Sequence, residues 1–104
     1  MTRKFLSVGG LFAAGFDASG QFLLTVSHSG LGVFSTRSWE RVARSNEIAY
    51  PEAGAVLGIG PLQGQTISVT ELDYQTERLQ LKSPDGSVTV NYQDGTVEVV
   101  ATSV

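Results

Sequence analysis

The stretch from Ser87 to Thr102, SVTVNYQDGTVEVVAT, decides the fold class. Apolar and polar residues alternate on both sides of Asp94-Gly95, the period of a half-buried strand. Asp-Gly favours the two-residue primed turn, because that turn needs positive φ at both central positions. Such a turn fixes the register. Gln93 then faces Thr96, Tyr92 faces Val97, Asn91 faces Glu98, Val90 faces Val99 and Val88 faces Ala101. Tyr92, Val97, Val90, Val99, Val88 and Ala101 share one face, and mostly polar groups share the other.

The same grammar runs outward from this hairpin. TISVTELDYQTERLQLK reads as a second hairpin, with a turn at Thr76-Glu77 setting Tyr74 opposite Leu79, Leu72 opposite Leu81 and Glu71 opposite Lys82. Asp85-Gly86 supplies the turn between the two hairpins. The segment AYPEAGAVLGIGPLQGQ predicts a loop around Pro51 and a short buried strand at Ala55–Ile59. Further upstream, Ser29-Gly30 reads as a turn with His28 facing Leu31, Val26 facing Val33 and Leu24 facing Ser35. Leu23 and Phe34 lie on the opposite face from Leu24 and Val26, so this hairpin is expected to be covered on both sides. SWERVARS admits a helix capped by Ser38. A strand is preferred, since Trp and Val favour strands and the surroundings are all β.

Bulk properties agree. The chain has 104 residues, the size of one domain, and we expect a single all-β domain over residues 1–104. With 41% hydrophobic and 16% charged residues it is globular rather than disordered. There is no cysteine, which removes disulfides, thiolate nucleophiles and thiolate metal sites. The start MTRKFLSVGGLFAAG has the basic and apolar order of a short secretory signal, but it carries directly into FDASGQFLL, read as strand and turn, and the preferred location is cytoplasmic. No apolar run approaches a membrane span.

FDASGQFLLTVSHSGLGVFSTRSWERV resembles one blade of a WD40-like β-propeller, over about residues 11–45. FDASG stands at the first turn of the blade pattern, SHSG at the second and VFSTRSW at the third. Ser19 and Ser29 replace the family's usual aspartates, and Ser35 replaces the aspartate after the aromatic. SPDGSVTVNYQDGTVEVV, residues 83–100, echoes the turn–strand–turn–strand order, with offsets of 66 for Gly20 to Gly86 and 65 for Gly30 to Gly95. The resemblance implies blade-like sheets. A closed propeller needs at least four blades of about 40 residues each, too many for one chain of this length. The expectation is therefore antiparallel hairpins in two packed or blade-like sheets, with a homodimer as one way to protect short sheet edges.

Candidate chemistry is thin. His28, the only histidine, sits between Ser27 and Ser29, whose side chains alternate away from it on a strand, and no G-x-S-x-G elbow exists. One histidine and no cysteine give no transition-metal set, and Glu71, Asp73 and Glu77 lack the spacing of a calcium loop. GIGPLQG and GGLFAAG are neither a dinucleotide fingerprint nor a phosphate loop. No cofactor, metal site or catalytic residue is assigned, and the chain is read as not an enzyme.

The charge is polar along the chain. Through Arg44 five basic residues face two acids, giving +3, and beyond it two basic residues face eight acids, giving -6. TRSWERVAR is the strongest surface candidate, because Trp and Arg most often anchor interfaces. On a regular strand, Trp39, Arg41 and Ala43 would share one face and Glu40, Val42 and Arg44 the other. Arg37, Trp39, Arg41, Arg44 and His28 form the candidate binding set. The leading reading is a non-catalytic protein-interaction domain, extending to a small bacterial inhibitor or immunity-type protein. The alternative is small-ligand or carbohydrate binding through Trp39 or Tyr50, and a hydrolase using His28 or the acids ranks last. An acidic chain with one basic cluster does not suit nucleic acid.

Overall fold

The computed structural model describes residues 2–6, 8, 10–47, 50–93 and 95–101. The chain is all-β and antiparallel, built from eleven strands among these residues: β1 (Thr2–Leu6), β2 (Leu11–Phe16), β3 (Phe22–Ser27), β4 (Gly30–Ser35), β5 (Arg41–Ser45), β6 (Ala55–Leu57), β7 (Thr66–Ser68), β8 (Thr70–Glu71), β9 (Arg78–Lys82), β10 (Val88–Gln93) and β11 (Thr96–Ala101). A 3-10 turn at Gly60–Leu62 separates β6 from β7. The first sheet runs β1-β11-β10-β9, the second β5-β4-β3-β2-β8, and β6 and β7 form a two-stranded sheet. Among the described residues no sheet closes into a barrel.

Three layers result. One core lies between the two large sheets, with Val88, Val90, Val97, Val99 and Leu79 of the first sheet against Ala14, Leu23 and Phe34 of the second. The second core lies on the other side of the second sheet, where Phe12, Ala13, Leu24, Val26, Leu31 and Val33 meet Val56, Leu62 and Ile67 around the β6–β7 hairpin. The second sheet is thus buried on both faces, as its near-continuous apolar runs FLLTV and GLGVF require.

The β10–β11 register matches the sequence expectation pair for pair, from Gln93↔Thr96 to Val88↔Ala101. Asp94 of its turn lies outside the described residues; Gly95 has φ 81°, in the left-handed region that glycine tolerates. Three other expectations need correction. The β3–β4 loop is His28-Ser29 rather than Ser29-Gly30, with Ser27 opposite Gly30, Val26 opposite Leu31 and Leu24 opposite Val33. The Ser27 hydroxyl accepts the Ser29 N–H at 3.3 Å and donates to the Gly30 carbonyl at 3.1 Å, closing the turn one residue early and moving each cross-strand partner by two. A shift of two leaves each strand side chain on its expected face.

The pairs Tyr74/Leu79, Leu72/Leu81 and Glu71/Lys82 do not form. Asp73 instead pairs with Arg78 around a four-residue loop, because the Asp73 carboxylate accepts the Gln75 N–H at 3.0 Å and starts the turn early. Beyond that bridge the strands part, β8 joining β2 and β9 joining β10. Finally, the strand at Ala55–Ile59 stops at Leu57. Only Val56 of it is buried, and Leu57 is exposed.

The two large sheets repeat one another. β3 pairs β4 from Phe22↔Ser35 to Ser27↔Gly30, and β10 pairs β11 from Val88↔Ala101 to Gln93↔Thr96, a constant offset of 66 residues. Phe16↔Leu23 maps onto Lys82↔Thr89 at the same offset. The tight turns also match: Gly20 donates to the Asp17 carbonyl as Gly86 does to that of Ser83, and both glycines have φ 75°. Side-chain roles are exchanged. Asp17 accepts from the Ser19 hydroxyl and the Phe22 N–H, whereas Ser83 donates to Asp85 and accepts the Val88 N–H. In the second sheet the fourth strand, β5, follows in sequence; in the first it is β1, from the far end of the chain.

Candidate functional site

Two β-bulges in the second sheet set the surface chemistry. The first is in β5. Leu31, Gly32 and Val33 pair with Ser45, Arg44 and Ala43, but Phe34 pairs with Arg41, leaving Val42 as an extra residue. On a regular strand, side chains three apart point to opposite faces. The extra residue cancels that inversion. Arg41 beside Phe34 and Arg44 beside Gly32 therefore lie on the same face, the one turned toward the first sheet, while Ala43 packs into the other core. This corrects the regular-strand expectation that grouped Arg41 with Ala43 and set Arg44 apart.

The two arginines border a hollow of about 200 Å3, lined also by Val8, Thr25, Ser27, Ser29, Gly30, Leu31 and Gly32. It lies beyond the apolar contact of Leu23 and Phe34 with the first sheet. Its floor is polar, with Thr25 and Ser27 buried and Ser29 exposed at the rim: Thr25 donates to the Gly32 carbonyl at 3.3 Å, and the Ser27 and Ser29 hydroxyls lie 2.9 Å apart. Gly32 keeps the floor open, since a Cβ there would stand 3.0 Å from the Thr25 hydroxyl. The Arg41 guanidinium lies over the Phe34 ring, 5.2 Å from its centroid. Two guanidinium groups above hydroxyl groups suit a carboxylate or phosphate oxygen, for which Arg offers a planar fork of donors.

The other sequence candidates fall elsewhere. Trp39 is not on β5 but in the β4–β5 turn, at φ 59°, with its N–H on the Ser35 carbonyl at 2.7 Å. Its ring is half-buried against the core between the large sheets. Lys4 donates to the Ser38 carbonyl at 3.0 Å and ties that turn to β1. Arg37 is exposed in the same turn.

His28 is at the opposite end of β4, in the β3–β4 loop, with its backbone N–H on the Gly10 carbonyl. Neither serine neighbour activates it; Ser27 and Ser29 are engaged with each other and with the turn. Its ring instead packs on Phe12, centroids 5.0 Å apart. Phe12 is where the second bulge acts. β2 changes register between Leu11 and Ala13, so Phe12 and Ala13 both enter the far core. Of the acids, Glu71 sits on β8 beside Ala13. The Asp73 carboxyl is held below the usual carboxylate range, first by the Gln75 N–H and then by the Thr76 hydroxyl, as a turn-capping group.

Sequence reasoning named Arg41 and Arg44 as candidates and passed over Thr25 and Ser27, which line the same hollow. Thr25 and Ser27 carried a signal, being polar residues two apart in an otherwise apolar strand. Among the described residues no helix is long and apolar enough to cross a membrane. Comparison with protein-family models, curated proteins and solved structures finds no match to this chain.

Proposed function

We propose that the chain is a non-catalytic interaction domain that docks an acidic segment of a partner protein in the Arg41–Arg44 notch. The observation that carries this reading is the bulge at Val42, which gathers two cations on one face over a hydroxyl-lined hollow. The hollow is too small to enclose a drug-sized ligand, whose pockets run from about 300 Å3, but it accepts one or two carboxylates. The uneven charge of the chain supports the same reading, with the basic residues concentrated before residue 45. A small bacterial inhibitor or immunity-type role is its narrower form, resting on size and charge polarity, and would make the acidic partner a toxin. The blade-like pairing of two repeated sheets supplies a rigid support for the notch and carries no function by itself.

The test is affinity purification from the source lysate, followed by binding of the purified partner to wild type and to the Arg41→Glu/Arg44→Glu variant. Loss of one side of a buried charge pair weakens a complex by roughly 2–5 kcal/mol, so affinity should fall by about thirtyfold or more. Raised salt should weaken the wild-type complex in the same direction. Wild-type affinity in a folded double variant removes the notch from the interface.

A further inference from the structure

On the opposite face of the second sheet from the notch, the bulge at Phe12 builds a second hollow of different chemistry. Its base is the buried Phe12 ring, with His28 tilted against it and Tyr50 stacked on it at 5.9 Å and 23°. Tyr74 closes another side, and Glu71 contributes a carboxylate. Tyr50 and Tyr74 are 72% and 71% exposed, although both line the same hollow. Large exposed aromatics around one hollow are unusual for a surface with a purely structural role.

The charge around Tyr50 has one sign. The adjoining hollow of about 590 Å3, which also uses Tyr50, is bordered by Glu47 and Glu52. No Lys or Arg stands among the described residues lining either hollow. Aromatic faces beside carboxylates attract a cation through the ring quadrupole, most strongly when the cation is weakly hydrated. The inner hollow measures about 120 Å3, well below the usual ligand pocket, so it takes a head group rather than a sugar chain.

We infer that the Phe12–His28–Tyr50–Tyr74 hollow, with Glu71 at its side, binds a small organic cation of the quaternary ammonium class. Aliphatic groups attached to that head lie along the apolar wall of the adjoining hollow. The site is independent of the notch, which faces the other way.

The experiment is an NMR titration of the intact protein with choline and, separately, with 3,3-dimethyl-1-butanol, its neutral isostere. Choline should shift the ring resonances of Phe12, His28 and Tyr50 saturably, and the isostere should bind about tenfold more weakly. Tyr50→Ala and Glu71→Gln should each weaken choline about fivefold or more with the fold intact. Arg41→Glu/Arg44→Glu should leave choline binding unchanged. Equal binding of the isostere overturns the inference, since the hollow then selects apolar bulk and not charge. Absence of saturable shifts, or full choline affinity in both Tyr50→Ala and Glu71→Gln, overturns it as well.

Discussion

Asp85 shows how a single residue fixes a turn. Its carboxylate accepts the Ser87 N–H at 3.0 Å and the hydroxyls of Ser83 and Ser87 at 2.7 Å each. These bonds, the Ser87 N–H foremost, lower its pKa to about 2. In the unfolded chain it titrates near the ordinary value of about 3.9. A depressed folded value means that the stabilisation is complete above about 3.9 and is lost as pH falls through about 2. Asp85→Asn should therefore be less stable than wild type near neutrality, with the gap closing over that acid range. Thermal melts of both proteins across the range check this; a gap independent of pH would show that the carboxylate charge contributes nothing. The equivalent turn in the second sheet reaches the same backbone geometry with Asp and Ser exchanged between its first and third positions, Asp17 and Ser19. Exchange of this kind hides the repeat from residue identity and preserves it in hydrogen bonding.

At the scale of elements, bulges decide what the second sheet presents. A strand with one extra residue re-aims everything beyond it, and β2 and β5 each use one. The bulge in β5 explains a deletion that a regular strand would not tolerate. Val42 is the unpaired residue and is half-exposed, so removing it leaves Phe34↔Arg41 and Val33↔Ala43 in consecutive register. The Val42 deletion should stay folded and keep acidic-ligand affinity within a few-fold of wild type, measured by calorimetry. Unfolding, or loss of binding in a folded protein, would show that Val42 does more than space the arginines. The last hairpin was legible from alternation and turn residues, down to every pair of β10–β11, whereas β3–β4 was legible as a hairpin but not in its register. The bulges were not, because nothing local distinguishes Val42 from its neighbours; the extra residue is stabilised by Ala43 entering one core while both arginines stay out of it.

At the scale of the molecule, the stacking has a direction. The 66-residue offset equates Leu24, Val26, Leu31 and Val33 with Val90, Tyr92, Val97 and Val99. That face of the first sheet packs on the second sheet, and the equivalent face of the second packs on the β6–β7 hairpin. Each layer thus covers the next in the same sense, and both ends are finished differently. The hairpin caps one end. The other end is the outward face of the first sheet, where Arg78, Gln80, Lys82, Asn91 and Gln93 make a largely polar surface that also carries the exposed Phe5. The first sheet is completed by β1, whose pairing from Thr2↔Ala101 to Leu6↔Val97 joins the two ends of the chain. Deleting residues 2–6 would leave β11 as a bare edge beside Val97 and Val99. That variant should lose its cooperative melt and aggregate, and a synthetic peptide of residues 2–8 added in trans should restore the melt. A truncated protein with the wild-type melting profile would show that β1 is dispensable.

The sequence by itself determined the all-β class, the turns at Asp17–Gly20 and Asp85-Gly86, the register of the last hairpin and the two-sided burial of Leu23 and Leu24. These follow from period-two alternation and from residues whose backbone preferences are local. Only the tertiary structure decided that TISVTELDYQTERLQLK divides between two sheets, that β1 closes the first sheet, and that Arg41 joins Arg44 while Phe12 meets His28 and Tyr50. Each of those depends on which apolar face is covered and by what, a competition between distant segments that no short stretch of chain records.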